Sequence, residues 1–146
     1  MEINKNFLNK ELSLKFRELG FNECCFAYYS KDNLVFTENP LQNTNRQWTK
    51  ADYLSTFRDN NQSTYCTAPL YQQIIDFLLE KYELDIDVSI AFRGEKNKGY
   101  ACNIFMNETV IQLTDQDNMI KYYDTKYKAL EEGFNKAIEL IKNGIK

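Results

Sequence analysis

The chain has 146 residues, a formal net charge of −3 and no histidine. A chain of this length can bury a core large enough to fold without disulfides or metal ions, and ten Phe and ten Tyr supply bulky side chains for it. Without histidine, the chain cannot form a catalytic site that uses a histidine base or a metal site with histidine ligands. The negative charge argues against non-specific nucleic-acid binding by the whole chain, because such binding neutralises phosphates with Lys and Arg.

The N-terminal residues 1–5 carry neither the basic region nor the apolar stretch of a secretory signal. The longest unbroken apolar run is Cys24–Tyr29, which is too short to span a bilayer. We therefore expect a cytoplasmic protein with no membrane partner. Its four cysteines are then expected to be reduced.

The first elements are a helix and a β-hairpin. Apolar residues at helical spacing predict a helix over 9–21, and Gly20 followed by Phe21 is typical of a helix C-terminus. Residues Cys24–Tyr29 and Leu34–Glu38 favour strands, and the polar residues between them favour a turn.

Residues 39–66 form the least regular part of the sequence. They contain Pro40, many Asn and Gln, and scattered aromatic residues that include Trp48 and Tyr53. A short helix over Thr49–Arg58 fits the pattern. We interpret the stretch as a surface connection, with a lid or a recognition loop as the alternative.

A second helix is predicted over Thr67–Tyr82, with Thr67 as its N-cap and Pro69 in its first turn. Strict alternation predicts a strand over Asp85–Phe92, with one apolar face that includes Ile86, Val88 and Ile90.

Two more strands and a last helix follow. After a loop over Gly94–Gly99 we expect strands at Tyr100–Met106 and Thr109–Thr114, and then a helix from Asp124 or Thr125 to Lys142. Its apolar face comprises Tyr127, Leu130, Phe134, Ala137, Ile138 and Ile141.

These elements predict a single α+β domain over residues 1–146, with an antiparallel sheet and helices packed on one of its faces. Residues 67–142 form a helix–strand–strand–strand–helix unit, the order found in double-stranded-RNA-binding domains. The N-terminal helix, hairpin and irregular segment, residues 1–66, precede it.

Three segments, residues 14–21, 66–82 and 123–142, resemble parts of a family of small uncharacterised proteins. That family is carried by phages, prophages and other mobile elements of gut bacteria. The resemblance implies a mobile-element context. It implies no activity and no site residues.

The preferred hypothesis is a non-enzymatic protein-interaction or accessory module, with a host or phage protein as its partner and with no cofactor. Tyr and Trp residues outside the helical stripes supply the side chains that dominate protein interfaces. These aromatic residues are Tyr28, Tyr29, Trp48, Tyr53, Phe57, Tyr65, Tyr122 and Tyr123. Trp48 and Tyr53 are the candidate binding residues among them, and a small satellite core is the alternative for most of the set.

A double-stranded-RNA-binding module is the first alternative. Basic residues stand where such domains grip the RNA backbone, in the loop with Arg93, Lys96 and Lys98 and at the last helix with Lys126 and Lys128. Residues 67–92, which precede this loop, carry a net charge of −4 and therefore argue against RNA binding.

A small enzyme is the second alternative. Cys66 would lie just before a helix N-terminus, where the helix dipole lowers a thiol pKa. Asp85 with Asp87, and Asp115 with Asp117, are paired carboxylates that could bind a divalent cation or transfer protons. A water-facing sheet surface explains the first pair equally well.

The adjacent residues Cys24 and Cys25 are poor partners for one metal ion, since neighbouring side chains of a strand point to opposite faces. We expect one of them in the core and the other half-exposed.

Overall fold

The computed structural model describes residues 3–36, 65–92 and 98–144. In chain order they form a 3₁₀ turn Ile3–Asn6, α1 Lys10–Glu18, β1 Ala27–Ser30, β2 Asn33–Phe36, β3 Tyr65–Ala68, α2 Tyr71–Tyr82, β4 Leu84–Phe92, β5 Lys98–Met106, β6 Thr109–Gln112 and α3 Lys126–Lys142. The fold is α+β, and the described strands form two three-stranded antiparallel sheets, β2-β1-β3 and β4-β5-β6. The chain divides into two compact units, residues 1–74 and 75–146.

Helix α1, Lys10–Glu18, lies within the predicted range 9–21 and has the predicted glycine just after its C-terminus. The side chain of Asn9 accepts a hydrogen bond from the Leu12 N–H at 2.8 Å and caps the N-terminus. Gly20 has a φ of 99°, and the N–H of Phe21 returns to the carbonyl of Phe16 at 2.9 Å. This is a Schellman motif. Its residue with positive φ is a glycine, which adopts that conformation without strain because it has no Cβ.

The first sheet contains the predicted hairpin and one strand that the sequence did not predict. Strands β1 and β2 pair with Ala27 opposite Phe36. Strand β1 begins three residues later than predicted, so the cysteines Cys24 and Cys25 precede it, and residues 37 and 38 of the predicted second strand lie outside the described residues. Strand β3 pairs with the other edge of β1 and places Ala68 opposite Ala27. The expected irregular segment therefore ends before Tyr65, and the predicted helix over Thr49–Arg58 lies outside the described residues.

The predicted start of α2 was wrong. Thr67 lies in β3, and the helix begins at Tyr71. The residue before a proline is disfavoured in the helical region, so Ala68 before Pro69 continues the strand. Leu70 lies just before the helix, and its N–H donates to Oε1 of Gln73 at 2.9 Å, so the Gln73 side chain makes the glutamine half of a capping box.

The second sheet is built on a nine-residue pairing of β4 with β5, in register from Leu84 opposite Met106 to Phe92 opposite Lys98. Lys98 and Gly99 thus belong to β5 and not to the predicted loop. Strand β6 pairs with the end of β5 through a two-residue turn that begins at Asn107, whose φ is 49°. Asn tolerates this left-handed conformation better than most residues.

Helix α3 packs over β4 and β5. Its N-cap is Thr125, whose hydroxyl accepts from the N–H of Lys128 at 3.1 Å. The helix buries Ala129, Leu130, Gly133, Phe134, Ala137 and Ile138. Two residues of the predicted apolar faces are exposed, because Tyr127 lies at the start of α3 with 37% exposure and Ile90 lies at the far end of β4 with 55% exposure.

The closest approach of α3 to the sheet is at Gly133. A Cβ added to this glycine would overlap the Sγ of Cys102 on β5 and would lie 3.4 Å from Cγ2 of Ile86 on β4. The helix can approach the sheet this closely only because position 133 has no side chain. The missing side chain costs helix propensity, roughly 1 kcal/mol relative to Ala.

We expect Gly133→Ala to lower the free energy of unfolding by about 1–3 kcal/mol, because the added methyl group overpacks the core. In a Cys102→Ala background the same substitution should be neutral or stabilising by up to about 1 kcal/mol, since the obstructing sulfur is gone. Urea unfolding of the four variants measures both effects. Equal destabilisation in both backgrounds would contradict this account of the helix–sheet contact.

Candidate functional site

The structure does not support Cys66 as a nucleophile. Cys66 lies in β3 and not at a helix N-terminus, its side chain is fully buried, and its thiol donates to the carbonyl of Thr67 at 3.3 Å. Burial raises the pKa of Cys66 to about 11, although the nearby Arg17 and Lys10 lower it in part. The thiol is therefore protonated at neutral pH, and the prediction of a lowered pKa was wrong.

The adjacent cysteines differ as expected. Cys25 is fully buried, whereas Cys24 is half-buried. Burial raises the pKa of Cys25 to about 12, partly offset by a side-chain hydrogen bond with Thr67. Burial likewise raises the pKa of Cys102 to about 12, and the charge of Asp87 adds to the effect. These three thiols are packing residues of the two cores.

The paired carboxylates are exposed and do not converge. Asp85 and Asp87 both face solvent on β4. Asp115 stabilises its own turn, because its Oδ1 accepts from the N–H groups of Asp117 at 2.9 Å and Met119 at 3.1 Å. Within residues 3–36, 65–92 and 98–144, no group of three or more acidic or cysteine side chains could hold a metal ion.

Two of the predicted basic residues lie on the first turn of the last helix, where a spacing of two residues points their side chains to different sides. Lys126 and Lys128 are exposed on the first turn of α3, where Lys128 forms an ion pair with Glu132 at 3.2 Å. Lys98 lies at the start of β5. The remaining predicted binding residues, Arg93, Lys96, Trp48 and Tyr53, lie outside the described residues. Duplex-RNA binding therefore stays a prediction.

Two of the candidate aromatic residues have packing roles. The Tyr29 hydroxyl donates to the Leu8 carbonyl at 2.7 Å, and its ring packs on a small cluster of Phe7, Ala27 and Ala68. Tyr123 is 8% exposed and exchanges two backbone hydrogen bonds with Tyr100, at 2.8 and 2.9 Å. Both tyrosines therefore have packing roles, and the satellite core predicted under residues 39–66 lies outside the described residues and stays a prediction.

A different pair of apolar side chains forms the candidate site. In the second sheet, α3 covers the face that carries Ile86, Cys102 and Ile104. On the opposite, open face, Phe105 of β5 and Val110 of β6 are direct cross-strand partners. They are 40% and 51% exposed, respectively. We call Phe105 and Val110 the open-face patch.

Acidic residues border the open-face patch. Asp85 is the cross-strand partner of Phe105, and Asp87 lies two residues farther along the same face of β4. Both carboxylates are exposed. The surface thus combines an apolar centre with a negative edge, and opposing Cβ atoms in such a sheet lie roughly 5 Å apart.

Comparison with known proteins gives no assignment: no family model, curated protein or solved structure matches this chain. None of the helices in the described part of the chain has the length and apolar character needed to cross a membrane. The function must therefore be inferred from the chemistry of the surface itself.

Thiol labelling should separate the four cysteines. At pH 8 in native buffer we expect Cys24 to react first with a chromogenic disulfide, and the three buried thiols to react at least about 10-fold more slowly, because they are shielded and protonated. A Cys24→Ser variant is the control and should lose the fast phase. A fast phase that persists in this variant and disappears in Cys66→Ser would contradict the packing role of Cys66.

Alkaline pH should destabilise the fold. Burial raises the pKa of these thiols from 9.0 to about 11 or 12. As the pH rises, they therefore lose their protons in the unfolded chain before they lose them in the folded chain. Their stabilising contribution is complete below pH 9 and is lost as the pH rises toward 12. Urea unfolding at pH 8 and pH 10 should show the decrease, and Cys102→Ala should show a smaller one. An equal decrease in this variant would contradict the contribution of Cys102.

Proposed function

We propose that this protein is a non-enzymatic protein-interaction module that binds its partner through the open-face patch. The observation that carries the proposal is the exposure of Phe105 and Val110 side by side on the uncovered face of the second sheet. Scattered exposed apolar residues are ordinary on protein surfaces. Phe105 and Val110 differ because they are neighbours on one rigid sheet, which supports their use as the centre of an interface.

The sheet supplies the rigidity that an interface needs. Phe105 lies near the end of a nine-residue strand that is hydrogen-bonded to β4 on one side and β6 on the other. Its backbone is therefore fixed before binding, so association costs less conformational entropy than a flexible loop would require. An aromatic side chain on such a scaffold is a favourable anchor for a partner.

The acidic border defines the chemistry of the partner. Asp85 and Asp87 flank the patch and would attract Lys or Arg next to an apolar side chain. We therefore infer a partner surface with an apolar centre and basic residues at one side. The resemblance of residues 14–21, 66–82 and 123–142 supports an accessory role in a mobile element. We accordingly propose a cytoplasmic host or phage protein as the partner.

Replacement of the patch should abolish partner capture. We expect the tagged wild-type protein to enrich a specific partner from a lysate of its natural host cell, and Phe105→Ser with Val110→Thr to lower that enrichment at least about 10-fold. The matched control is Leu79→Ser, which removes an apolar side chain of α2 that is 47% exposed. Quantitative mass spectrometry of the three captures provides the measurement.

Binding of the purified partner then tests the charge assignment. Asp85→Asn with Asp87→Asn should weaken binding by roughly 2- to 10-fold and reduce its salt dependence, because border charges contribute modestly and are screened by salt. The proposal fails if the double patch variant captures the same proteins as the wild type, or if Leu79→Ser loses them equally.

A further inference from the structure

Strand β4 has one hydrogen-bonded edge and one open edge. It runs for nine residues, Leu84–Phe92, and pairs along its whole length with β5. Within the described residues, no strand lies on its other side. A long strand with an open edge presents a row of backbone N–H and C=O groups to which another strand can be added.

The side chains of β4 differ between its two faces. On the face covered by α3, Ile86 is buried, Val88 is half-buried and Ile90 is 55% exposed. On the open face, Asp85, Asp87 and Ser89 are all exposed. The apolar face of β4 is thus increasingly uncovered toward its C-terminal end, where a neighbouring strand would add cover.

We propose that β4 pairs with β4 of a second copy of this chain, antiparallel and about a two-fold axis at Val88. This register places Val88 opposite Val88 of the partner subunit and Ile86 opposite Ile90 of the partner subunit. On the open face it places Asp87 opposite Ser89 of the partner subunit. The two three-stranded sheets then join into one six-stranded sheet with an isologous interface.

The carboxylates of β4 exclude the registers on its N-terminal side. An axis at position 85 or 87 would place Asp85 or Asp87 opposite the same residue of the partner subunit, and an axis at 86 would place Asp85 opposite Asp87 of the partner subunit. Each of these like-charge pairs is destabilising. A one-residue slip would place the acidic face of one strand against the apolar face of the other. An axis at Val88 avoids both problems, and Val88 is the midpoint of the strand, so that all nine residues remain paired.

This pattern favours a second copy over an unrelated strand. Read outward from Val88, the apolar residues meet apolar residues and each acidic residue meets a small, uncharged one, Ser89 or Ala91. The strand is therefore complementary to itself. Charged residues on an open edge commonly prevent uncontrolled strand pairing. Here they disfavour the registers with axes at positions 85 to 87, and the full nine-residue pairing favours the axis at Val88 over axes nearer the C-terminal end of β4.

Charged substitutions of Ser89 test the register, because a negative and a positive side chain should change the dimer Kd in opposite directions. In the proposed dimer, Ser89→Asp introduces two carboxylates that face Asp87 of the opposite subunit, whereas Ser89→Lys introduces two ammonium groups there. We expect the dimer Kd to rise roughly 2- to 30-fold for Ser89→Asp and to fall by a similar factor for Ser89→Lys. Ser89 is exposed in the single chain, so both variants should fold.

Analytical ultracentrifugation of the full chain, from about 1 μM to about 1 mM, gives these constants over the Kd range of weak to moderate association. Thr109→Asp is the matched control, because it adds the same charge at an exposed position of β6, on the opposite edge of the sheet. It should leave the Kd unchanged within a factor of about 2.

Disulfide trapping tests the register independently. In a Cys24→Ser background, a chain with Asp87→Cys mixed with a chain with Ser89→Cys should form a cross-linked heterodimer under mild oxidation, since these positions are directly opposite. The proposal is overturned if the wild type is monomeric over the whole range or if the two Ser89 variants shift the Kd in the same direction. It is also overturned if Phe105→Ser with Val110→Thr abolishes the dimer while the Ser89 variants do not change it.

Discussion

The close contact of Gly133 with Cys102 is the constraint on which the second sheet depends. It brings α3 close to β4 and β5, so one face of the sheet becomes a core, whereas on the other face the end that carries Phe105 is exposed. Because α3 occupies only one face, strand alternation necessarily exposes residues such as Phe105 and Val110 on the other. The proposed binding surface is thus a consequence of where the helix can approach.

Local sequence patterns predicted the elements whose signals are short-range. The glycine ending at Gly20 and the start of the last helix at Asp124 or Thr125 depend on a few neighbouring residues, and the structure confirms both, with Thr125 as the N-cap. The strict alternation of Asp85–Phe92 likewise predicted β4 to within one residue. Such features need no knowledge of distant parts of the chain.

The failures concern long-range contacts. Strand β3 forms because residues 65–68 pair with β1, which precedes them by more than thirty residues in the sequence. Pro69 is compatible with the first turn of a helix and also with the end of a strand, and only the pairing with β1 decides between the two. The open-face patch was missed for a similar reason. Strand β5 carries apolar residues on both faces, so its sequence does not indicate which face the helix will cover. Tertiary packing decides this.

The open edge of β4 has a further consequence when it is combined with the open face. A two-fold axis between antiparallel edge strands stands perpendicular to the sheet, so both copies would present Phe105 and Val110 toward the same side. Such a dimer would be bivalent, with two equivalent binding surfaces on the same side. It would bind a target with two equivalent sites, such as a filament, a ring or a repetitive surface, far more tightly than an isolated target molecule, because the second contact is made at high effective concentration.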